Sequence, residues 1–343
     1  MHADEQGQPT GPGAGRPGKV TRRGLLRASL ALPLAAPIVM SLEEHALLAQ
    51  NAAPSSGAVK APAAGKGPMG KIGSIEISRL ICGGNLIGGY AHSRDLIYVS
   101  PLLKHYFTDE KIMETWALCE QHGINTMVAF FGDPHLVELY GKYVKQGGKM
   151  QCLAQLNPTK EDVKTCAKQA ADGGAVGAFL LGNLGDAWSR EGSVGRIGEL
   201  VQAMEQNGLI AGVAGHELRT VKAVEDAGIK PDFYVKTLHD ENYWSKRRPD
   251  QTKEVIDNYG IDNYWCMDPK ETIAYMAGIK RPWIAYKVLA AGAIHPKHGF
   301  RHAFENGADF ALVGMFDFQV AEDVTVVRET LAGKLNRQRP WLA

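Results

Sequence analysis

Three segments in the second half of the chain carry ionisable side chains that could transfer protons. His216 is followed by Glu217, His239 is followed by Asp240, and Lys287 lies within an apolar segment. Imidazole, carboxylate and amine groups are common general acids and bases in enzymes. We therefore expect His216, His239 and Lys287 to be catalytic residues that act on a carbonyl or hydroxyl group.

The two histidines and the carboxylates beside them could also bind a metal ion. Catalytic zinc is bound by imidazole nitrogens and carboxylate oxygens, and such a cation polarises an oxygen atom of the substrate. The predicted ligands of a divalent metal are His216, His239, Glu217 and Asp240. Lys287 would then act as an acid or base; alternatively, it could form a Schiff base with a ketone.

The elements that must position these residues alternate along the chain. Short apolar segments predict strands at 79–83, 126–131, 151–156, 175–181, 210–215, 233–238, 283–289 and 310–315. Between them, the segments 109–122, 159–172, 194–207 and 218–227 have apolar residues at three- and four-residue spacing, which is typical of amphipathic helices. Eight such strand–helix units predict a (β/α)8 barrel. A doubly wound open sheet is the alternative.

Strand alternation indicates which of these side chains face the interior of the barrel. His216 has the parity of Ala214, a small residue that suits a barrel interior. Lys287 has the parity of the alanine two positions before it, so we expect Lys287 to point inward as well. Lys236 and His239 have opposite parity, so we do not expect both of them to face the interior.

Polar and aromatic side chains are expected around the same rim, because the active site of such a barrel lies at the carboxyl ends of its strands. The loops 85–108 and 239–268 are long, and loops of that length usually have a function. Amide groups would hydrogen-bond to hydroxyl groups, and aromatic rings would stack on a sugar. The predicted substrate-binding residues are Asn85, His92, Gln155, Asn157, Trp244 and Trp265. Alternatively, the aromatic residues anchor the loops to the rim.

Both ends of the predicted barrel resemble aldo-keto reductases. Residues 73–89, GSIEISRLICGGNLIGG, are similar to the family's opening pattern G…VSRLGLGG, and residues 311–324, ALVGMFDFQVAEDV, are similar to its closing pattern VLVGM…QVEEN. The resemblance implies a (β/α)8 barrel. It also implies that the second segment contributes to binding a nicotinamide cofactor, NADP.

The catalytic tetrad of that family is not matched. In the family, an aspartate ends the second strand, a tyrosine follows it, a lysine ends the third strand and a histidine ends the fourth. Here the corresponding strand ends carry Phe131, Asn157 and Asn183. Without the tyrosine and its lysine, ordinary carbonyl reduction lacks its acid catalyst. A reductase would therefore need another proton donor, for which Tyr140 and His92 are the candidates.

The first 53 residues predict an export signal. Arg22 and Arg23 precede an apolar run at 28–40, which is the order of a twin-arginine signal. Prolines interrupt this run, and it is shorter than the stretch of about 20 apolar residues that a membrane-spanning helix needs. We therefore expect export through the twin-arginine machinery, a periplasmic or extracellular protein, and no stable membrane span in the mature form.

The remaining chain divides into a tether and one domain. Cleavage of the signal is expected between residues 49 and 53, and an uncleaved signal that anchors the protein is the alternative. Residues 54–68 are rich in Pro, Ala and Gly, which predicts a flexible linker. Residues 69–343 then form a single barrel domain, which is long enough for a full core.

Composition excludes one class of partner and sets the functional alternatives. The chain has 38 Lys and Arg residues against 37 Asp and Glu residues, so no net field attracts nucleic acid. Its 5 cysteines form no CxxC motif and are expected to be mostly buried. The sequence predicts an enzyme that performs isomerisation or elimination on a small carbonyl or sugar-derived substrate, by acid–base chemistry with or without a metal. An NADP-dependent oxidoreductase and a non-catalytic carbohydrate-binding barrel are the alternatives.

Overall fold

The computed structural model describes residues 67–90, 96–243, 246, 249 and 266–343. All of these belong to one compact unit, Val59–Ala343. The predicted signal with Arg22 and Arg23, and the predicted linker up to residue 66, lie outside the described residues. The same holds for His92, Trp244 and Trp265.

Eight parallel strands close into a barrel, with each strand hydrogen-bonded to the next around the ring. The strands are β3 (Leu80–Gly83), β4 (Thr126–Phe130), β5 (Gln151–Leu156), β6 (Gly177–Leu180), β7 (Ile210–Gly215), β8 (Phe233–Thr237), β9 (Trp283–Tyr286) and β10 (Phe310–Gly314). Strand β10 pairs with β3 to complete the ring. This confirms the predicted (β/α)8 barrel, and each predicted strand differs from the observed one by at most a few residues at its ends.

Helices surround the barrel on its outer side. They are α1 (Val99–Tyr106), α2 (Asp109–Gln121), α3 (Pro134–Lys145), α4 (Thr165–Asp172), α5 (Gly182–Arg190), α6 (Val194–Gln206), α7 (Leu218–Asp226), α8 (Pro269–Gly278), α9 (Pro296–Glu305) and α10 (Val320–Ala332). The start of α8 is well defined, because the Asp268 carboxylate accepts the N–H of Glu271 and Pro269 occupies the first turn. In the described part of the chain, no helix combines the length and apolar character needed to cross a bilayer.

A short hairpin precedes the barrel, and the sequence pattern did not predict it. Strands β1 (Met69–Ile72) and β2 (Ile75–Ser78) are antiparallel, and Gly73 in the connecting turn has φ of 58°. Such tight hairpin turns need positive φ, which glycine adopts at low cost. Ile72 and Ile77 pack into the cluster that fills the barrel interior, so the hairpin closes one end of the barrel.

Two apolar layers lie on opposite sides of the strands. The interior cluster contains Ala214 from β7, Val235 from β8 and Ile284 from β9. The outer layer, between strands and helices, contains the alternate strand residues, such as Tyr234 and Ala285. All five cysteines are reduced and four of them are buried, which confirms the expectation that they mostly fill the core.

Candidate active site

The carboxyl ends of β6 and β7 bring an aspartate and a histidine together. His216 directly follows the last residue of β7, and Asp186 lies in α5, which begins soon after β6 ends. Nδ1 of His216 is 2.7 Å from Oδ2 of Asp186. Only 7% of the His216 side chain and none of the Asp186 side chain is exposed. This hydrogen bond fixes the orientation of the imidazole and identifies Nδ1 as its donor.

Further donors surround the Asp186 carboxylate. It accepts the backbone N–H groups of His216 and Glu217 at 3.0 Å each, and the Thr220 hydroxyl at 2.8 Å. Burial by itself would raise the pKa of Asp186, but the charge of His216 and these hydrogen bonds lower it. Asp186 is therefore a carboxylate that can stabilise a protonated His216, as in the aspartate–histidine pairs of hydrolases.

A tyrosine and the start of a helix lie against the His216 ring. The centroids of the His216 and Tyr286 rings are 5.2 Å apart. A Cβ atom at Gly182 would come within 2.5 Å of the Tyr286 hydroxyl oxygen and 2.7 Å of Cε1 of His216. The glycine thus allows the first turn of α5 to approach both side chains. The sequence pattern did not predict Tyr286 or Asp186 as site residues.

A cavity of about 310 Å³ lies at the carboxyl ends of β7 and β8, between the starts of α7 and α8. Its volume is at the lower end of the range typical of small-molecule sites. The residues that line it are His216, Glu217, Leu218, Arg219, Lys222, Lys236, Met267, Asp268, Glu271 and Thr272. His216 therefore meets the condition for a catalytic base, since it combines a buried carboxylate partner with access to a cavity.

Lys236 lines the same cavity and is only 1% exposed. Its Cα pairs with that of Gly215 across the sheet, one residue before His216. Burial lowers the pKa of Lys236, against the opposing influence of Cys266, Asp186 and Glu217. Alternation with the interior residue Val235 places Lys236 on the outer side of β8, and Lys236 still belongs to the site because the cavity lies on that outer side.

The four predicted metal ligands do not converge. Glu217 forms ion pairs with Arg190 and, at 4.0 Å, with Arg219. The ring of His239 is 2.9 Å from the Asp240 carbonyl at Nδ1 and accepts the N–H of Cys266 at Nε2. No group of three or more His, Cys, Asp or Glu side chains within the described ranges could hold a metal ion. The metal ion remains a prediction that these contacts do not favour.

The contacts of His239 indicate a structural role. Both of its ring nitrogens interact with backbone groups, Nδ1 with the Asp240 carbonyl and Nε2 with the Cys266 N–H. The ring also packs edge-on against Tyr243, with centroids 5.4 Å apart. His239 is not among the residues that line the cavity, so its catalytic role stays a prediction without support from these contacts.

The strand-parity argument does not place Lys287 inside the barrel, and its inward direction stays a prediction. Ile284 and Tyr286 contact the interior cluster, whereas Ala285 packs in the outer layer. Strand β9 ends at Tyr286, and Lys287 has φ of 61°, so the alternation of the strand does not extend to it. Its Nζ lies 5.4 Å from the centroid of the Tyr286 ring. This places Lys287 near the rim, where its catalytic role stays a prediction.

The predicted substrate-binding residues within the described ranges lie at other strand ends. Asn85 follows β3, Gln155 belongs to β5 and Asn157 comes directly after it. None of these three lines the 310 Å³ cavity. Their roles remain predictions for a different part of the rim.

Tyr140 was predicted as a replacement proton donor, and its position contradicts that role. Its hydroxyl donates to the Met150 carbonyl, which precedes β5 and so lies at the amino end of the barrel. Burial raises the pKa of Tyr140 to about 12. Tyr140 is therefore on the side of the barrel opposite to the strand ends where the chemistry is expected.

Comparisons with known proteins show the fold and no family. No protein-family model matches the sequence. No curated protein matches it. Two solved structures described as "putative aldo-keto reductase" from Pseudomonas aeruginosa superpose with TM-scores of 0.54 and 0.53 at 16% identity, covering 77% of this chain and 94% and 95% of theirs. A similarity at this level of identity establishes a shared (β/α)8 architecture and leaves the reaction open.

Proposed function

We propose that this protein is an enzyme that transfers a proton beside the carbonyl group of a small hydroxylated substrate, which leads to isomerisation or elimination. The observation that carries the proposal is the buried Asp186–His216 pair beside a cavity of about 310 Å³ at the carboxyl ends of the strands. Active sites of (β/α)8 barrels lie at this end. The protein shares its fold with enzymes, which is consistent with catalysis, but the proposal does not depend on that similarity.

In the proposed reaction, His216 takes a proton from the carbon next to the carbonyl through Nε2. The Asp186 carboxylate stabilises the imidazolium that forms, because the two side chains share a hydrogen bond of 2.7 Å. The same imidazolium then returns the proton, either to a neighbouring carbon or to a departing hydroxyl group. General base catalysis of this kind contributes about 10²–10⁴-fold to the rate.

The charge of the cavity supports a neutral polar substrate. Its lining carries three cationic side chains and three carboxylates besides His216. Two of these, Lys222 and Glu271, already pair at 2.6 Å. Because the basic side chains do not outnumber the carboxylates, the cavity does not favour a strongly anionic ligand. A sugar or another polyhydroxylated aldehyde or ketone therefore fits this surface best.

The test is proton exchange followed by NMR. Purified protein is incubated in D2O with a panel of aldoses and ketoses, and loss of the signal from the proton beside the carbonyl is measured. His216→Gln is expected to slow this exchange by about 100-fold or more, since it removes the base. His135→Gln is the matched control, because His135 forms a similar 2.8 Å pair with Asp109 on the surface. Exchange that proceeds equally in His216→Gln and the parent protein would contradict the proposal.

NADP-dependent reduction is the second candidate. It is favoured by the resemblance of residues 311–324 to a cofactor-binding segment of aldo-keto reductases. In that segment, Asp317 accepts the Tyr106 hydroxyl and binds Lys111 at 3.0 Å. A rise in melting temperature on adding NADPH supports this candidate, and the absence of any shift opposes it.

Sugar binding that persists in His216→Gln, with no exchange in either protein, would instead support a carbohydrate-binding barrel.

Export through the twin-arginine machinery completes the proposal. The evidence for export is the Arg22–Arg23 pair and the apolar run that follows it. Changing both arginines to lysine is expected to keep the protein inside the expressing cell. The measurement is the distribution of protein between the cytoplasmic and periplasmic fractions, and an unchanged distribution would contradict the prediction.

A further inference from the structure

We propose that Lys236 forms a Schiff base with the carbonyl carbon of the substrate, so that proton transfer by His216 proceeds on a covalently bound imine. This inference rests on the proposed function and deepens it, because it assigns covalent catalysis to the same cavity. It also narrows the substrate to an aldehyde or ketone whose carbonyl carbon can reach the base of the cavity.

The position of Lys236 is unusual for a lysine. Lysine side chains are almost never fully buried unless they are paired, yet Lys236 is 1% exposed. Its Nζ donates a hydrogen bond to the Thr237 carbonyl at 3.0 Å. In the described residues Lys236 takes part in no ion pair, whereas Lys222, in the same cavity, pairs with Glu271 at 2.6 Å. The site therefore holds an amine that a carboxylate does not fix in its charged form.

Nucleophilic attack requires the neutral amine. Burial lowers the pKa of Lys236 and so increases the fraction of amine that is neutral. Cys266 and, to a smaller extent, the carboxylates of Asp186 and Glu217 oppose this effect. The same two carboxylates would stabilise the cationic imine once it has formed. Burial thus disfavours the ammonium form of Lys236, while the two carboxylates would stabilise the positive charge of the imine intermediate.

Strand pairing brings the amine and the base to neighbouring positions. Lys236 pairs with Gly215, and His216 is the next residue along β7. Both side chains line the same cavity. A substrate held by Lys236 at its carbonyl carbon would therefore present the adjacent carbon towards His216. Imine formation at one residue and proton removal at the other then act on consecutive atoms of the substrate.

The chemistry balances without an added reagent. The neutral Lys236 nitrogen forms a C–N bond to the carbonyl carbon, and one of the two protons of the amine passes to the carbonyl oxygen. A proton from solvent then converts the resulting hydroxyl group into water, the C–O bond breaks as that water leaves, and the nitrogen keeps its remaining proton in the protonated imine. His216 removes a proton from the adjacent carbon, and that electron pair forms the C=C bond of an enamine. Reprotonation and addition of water to the imine release the product and restore Lys236.

Reductive trapping tests this inference. The protein is incubated with hydroxyacetone and sodium cyanoborohydride, which reduces an imine to a stable secondary amine, and the adduct is located by peptide mass spectrometry. We expect one adduct per chain, on Lys236. Lys236→Met should abolish it, while Lys168→Met, which removes a surface lysine that pairs with Asp172 at 2.6 Å, should retain it. An adduct confined to Lys287, a label spread over exposed lysines, or no adduct would overturn the inference.

Exchange activity separates this inference from the proposed function. Lys236→Met keeps an unbranched side chain and removes a buried polar amine, so it should fold, which thermal unfolding checks. The expected result is a loss of exchange of about 100-fold, similar to that of His216→Gln. Full exchange in Lys236→Met with loss in His216→Gln would overturn the imine and leave the proposed function intact. If Lys236→Met does not fold, the position of the adduct in the parent protein decides whether Lys236 forms the imine.

Discussion

Asp186 and Asp323 are both buried carboxylates, yet their surroundings shift their pKa values in opposite directions. Asp186 accepts hydrogen bonds from two backbone N–H groups, a hydroxyl and His216, which lower its pKa despite burial. Asp323, in the first turn of α10, is 3% exposed. Burial raises its pKa to about 7, and the neighbouring Glu322 adds to the effect. Asp186 is therefore a stabilised carboxylate that orients His216, whereas ionised Asp323 lowers the free energy of unfolding at high pH.

Asp323→Asn should stabilise the protein above pH 7. The folded-state pKa of about 7 exceeds the usual value of 3.8. The unfolded chain therefore loses its proton first, and the free energy of unfolding falls as the pH rises from about 4 to about 7. The neutral amide removes this penalty, which is on the order of 2–4 kcal/mol at pH 8. Urea denaturation at pH 8 and pH 4 measures it, and an equal effect at both values would contradict this origin.

Helix α5 is the element that assembles the site. It begins directly after β6, carries Asp186, and packs against β7 so closely that a Cβ at Gly185 would lie 2.1 Å from the Ala214 carbonyl oxygen. Its first residue, Gly182, leaves room for the side chains of His216 and Tyr286. Two glycines one turn apart thus set the distance of the helix from the strand and from His216.

Substitutions at these glycines should have different consequences. Gly185→Ala meets backbone atoms that cannot move independently, so we expect a loss of stability of about 1–3 kcal/mol. Gly182→Ala meets two side chains, so it should displace His216 and lower exchange activity more than stability. Gly141→Ala in α3 is the control, because nothing lies within 4 Å of its Cβ. Alanine in that helix should be neutral or stabilising by roughly 0.5–1 kcal/mol. Chemical denaturation and the exchange assay compare the three variants.

At the scale of the whole molecule, stability and chemistry lie at opposite ends of the barrel. The amino end is closed by the β1–β2 hairpin and by the last residues of the chain, which gather around Asp309 just before β10. Asp309 is 0% exposed. Its carboxylate binds Arg339 at 2.7 Å and Arg337 at 3.2 Å, and accepts the backbone N–H groups of Trp283 and Leu342. One buried carboxylate therefore joins two strands to the carboxyl-terminal segment.

Asp309→Ala should destabilise the fold by about 3–5 kcal/mol, because it leaves two buried guanidinium groups without their partner. The free energy of unfolding from a denaturant titration measures this loss. Exchange activity per folded molecule should stay unchanged, since the cavity lies at the other end of the barrel. A loss of stability below about 1 kcal/mol would contradict the proposed role of this cluster.

The local sequence pattern was sufficient to predict the barrel but not the positions of individual side chains at its rim. Apolar segments of strand length and amphipathic helical segments are encoded by neighbouring residues, so the eight strands followed from the sequence. The helix expected at 159–172 begins later, at Thr165. Just before it, the Asp162 carboxylate accepts the N–H groups of Lys164 and Thr165, and this local contact holds the chain in a turn. Strand alternation could not predict the direction of the Lys287 side chain, because Lys287 has a left-handed backbone and lies beyond the end of β9.

The sequence by itself determined the (β/α)8 architecture, the buried cysteines, and His216 as a candidate at the end of a strand. The tertiary structure alone decided which residues accompany it. Asp186 is 30 residues away from His216 and reaches it only when α5 packs on β7. Lys236 entered the site because the cavity opens on the outer side of β8, between two helices. Periodicity reports which face of an element is apolar, but contacts between elements depend on packing that no local pattern encodes.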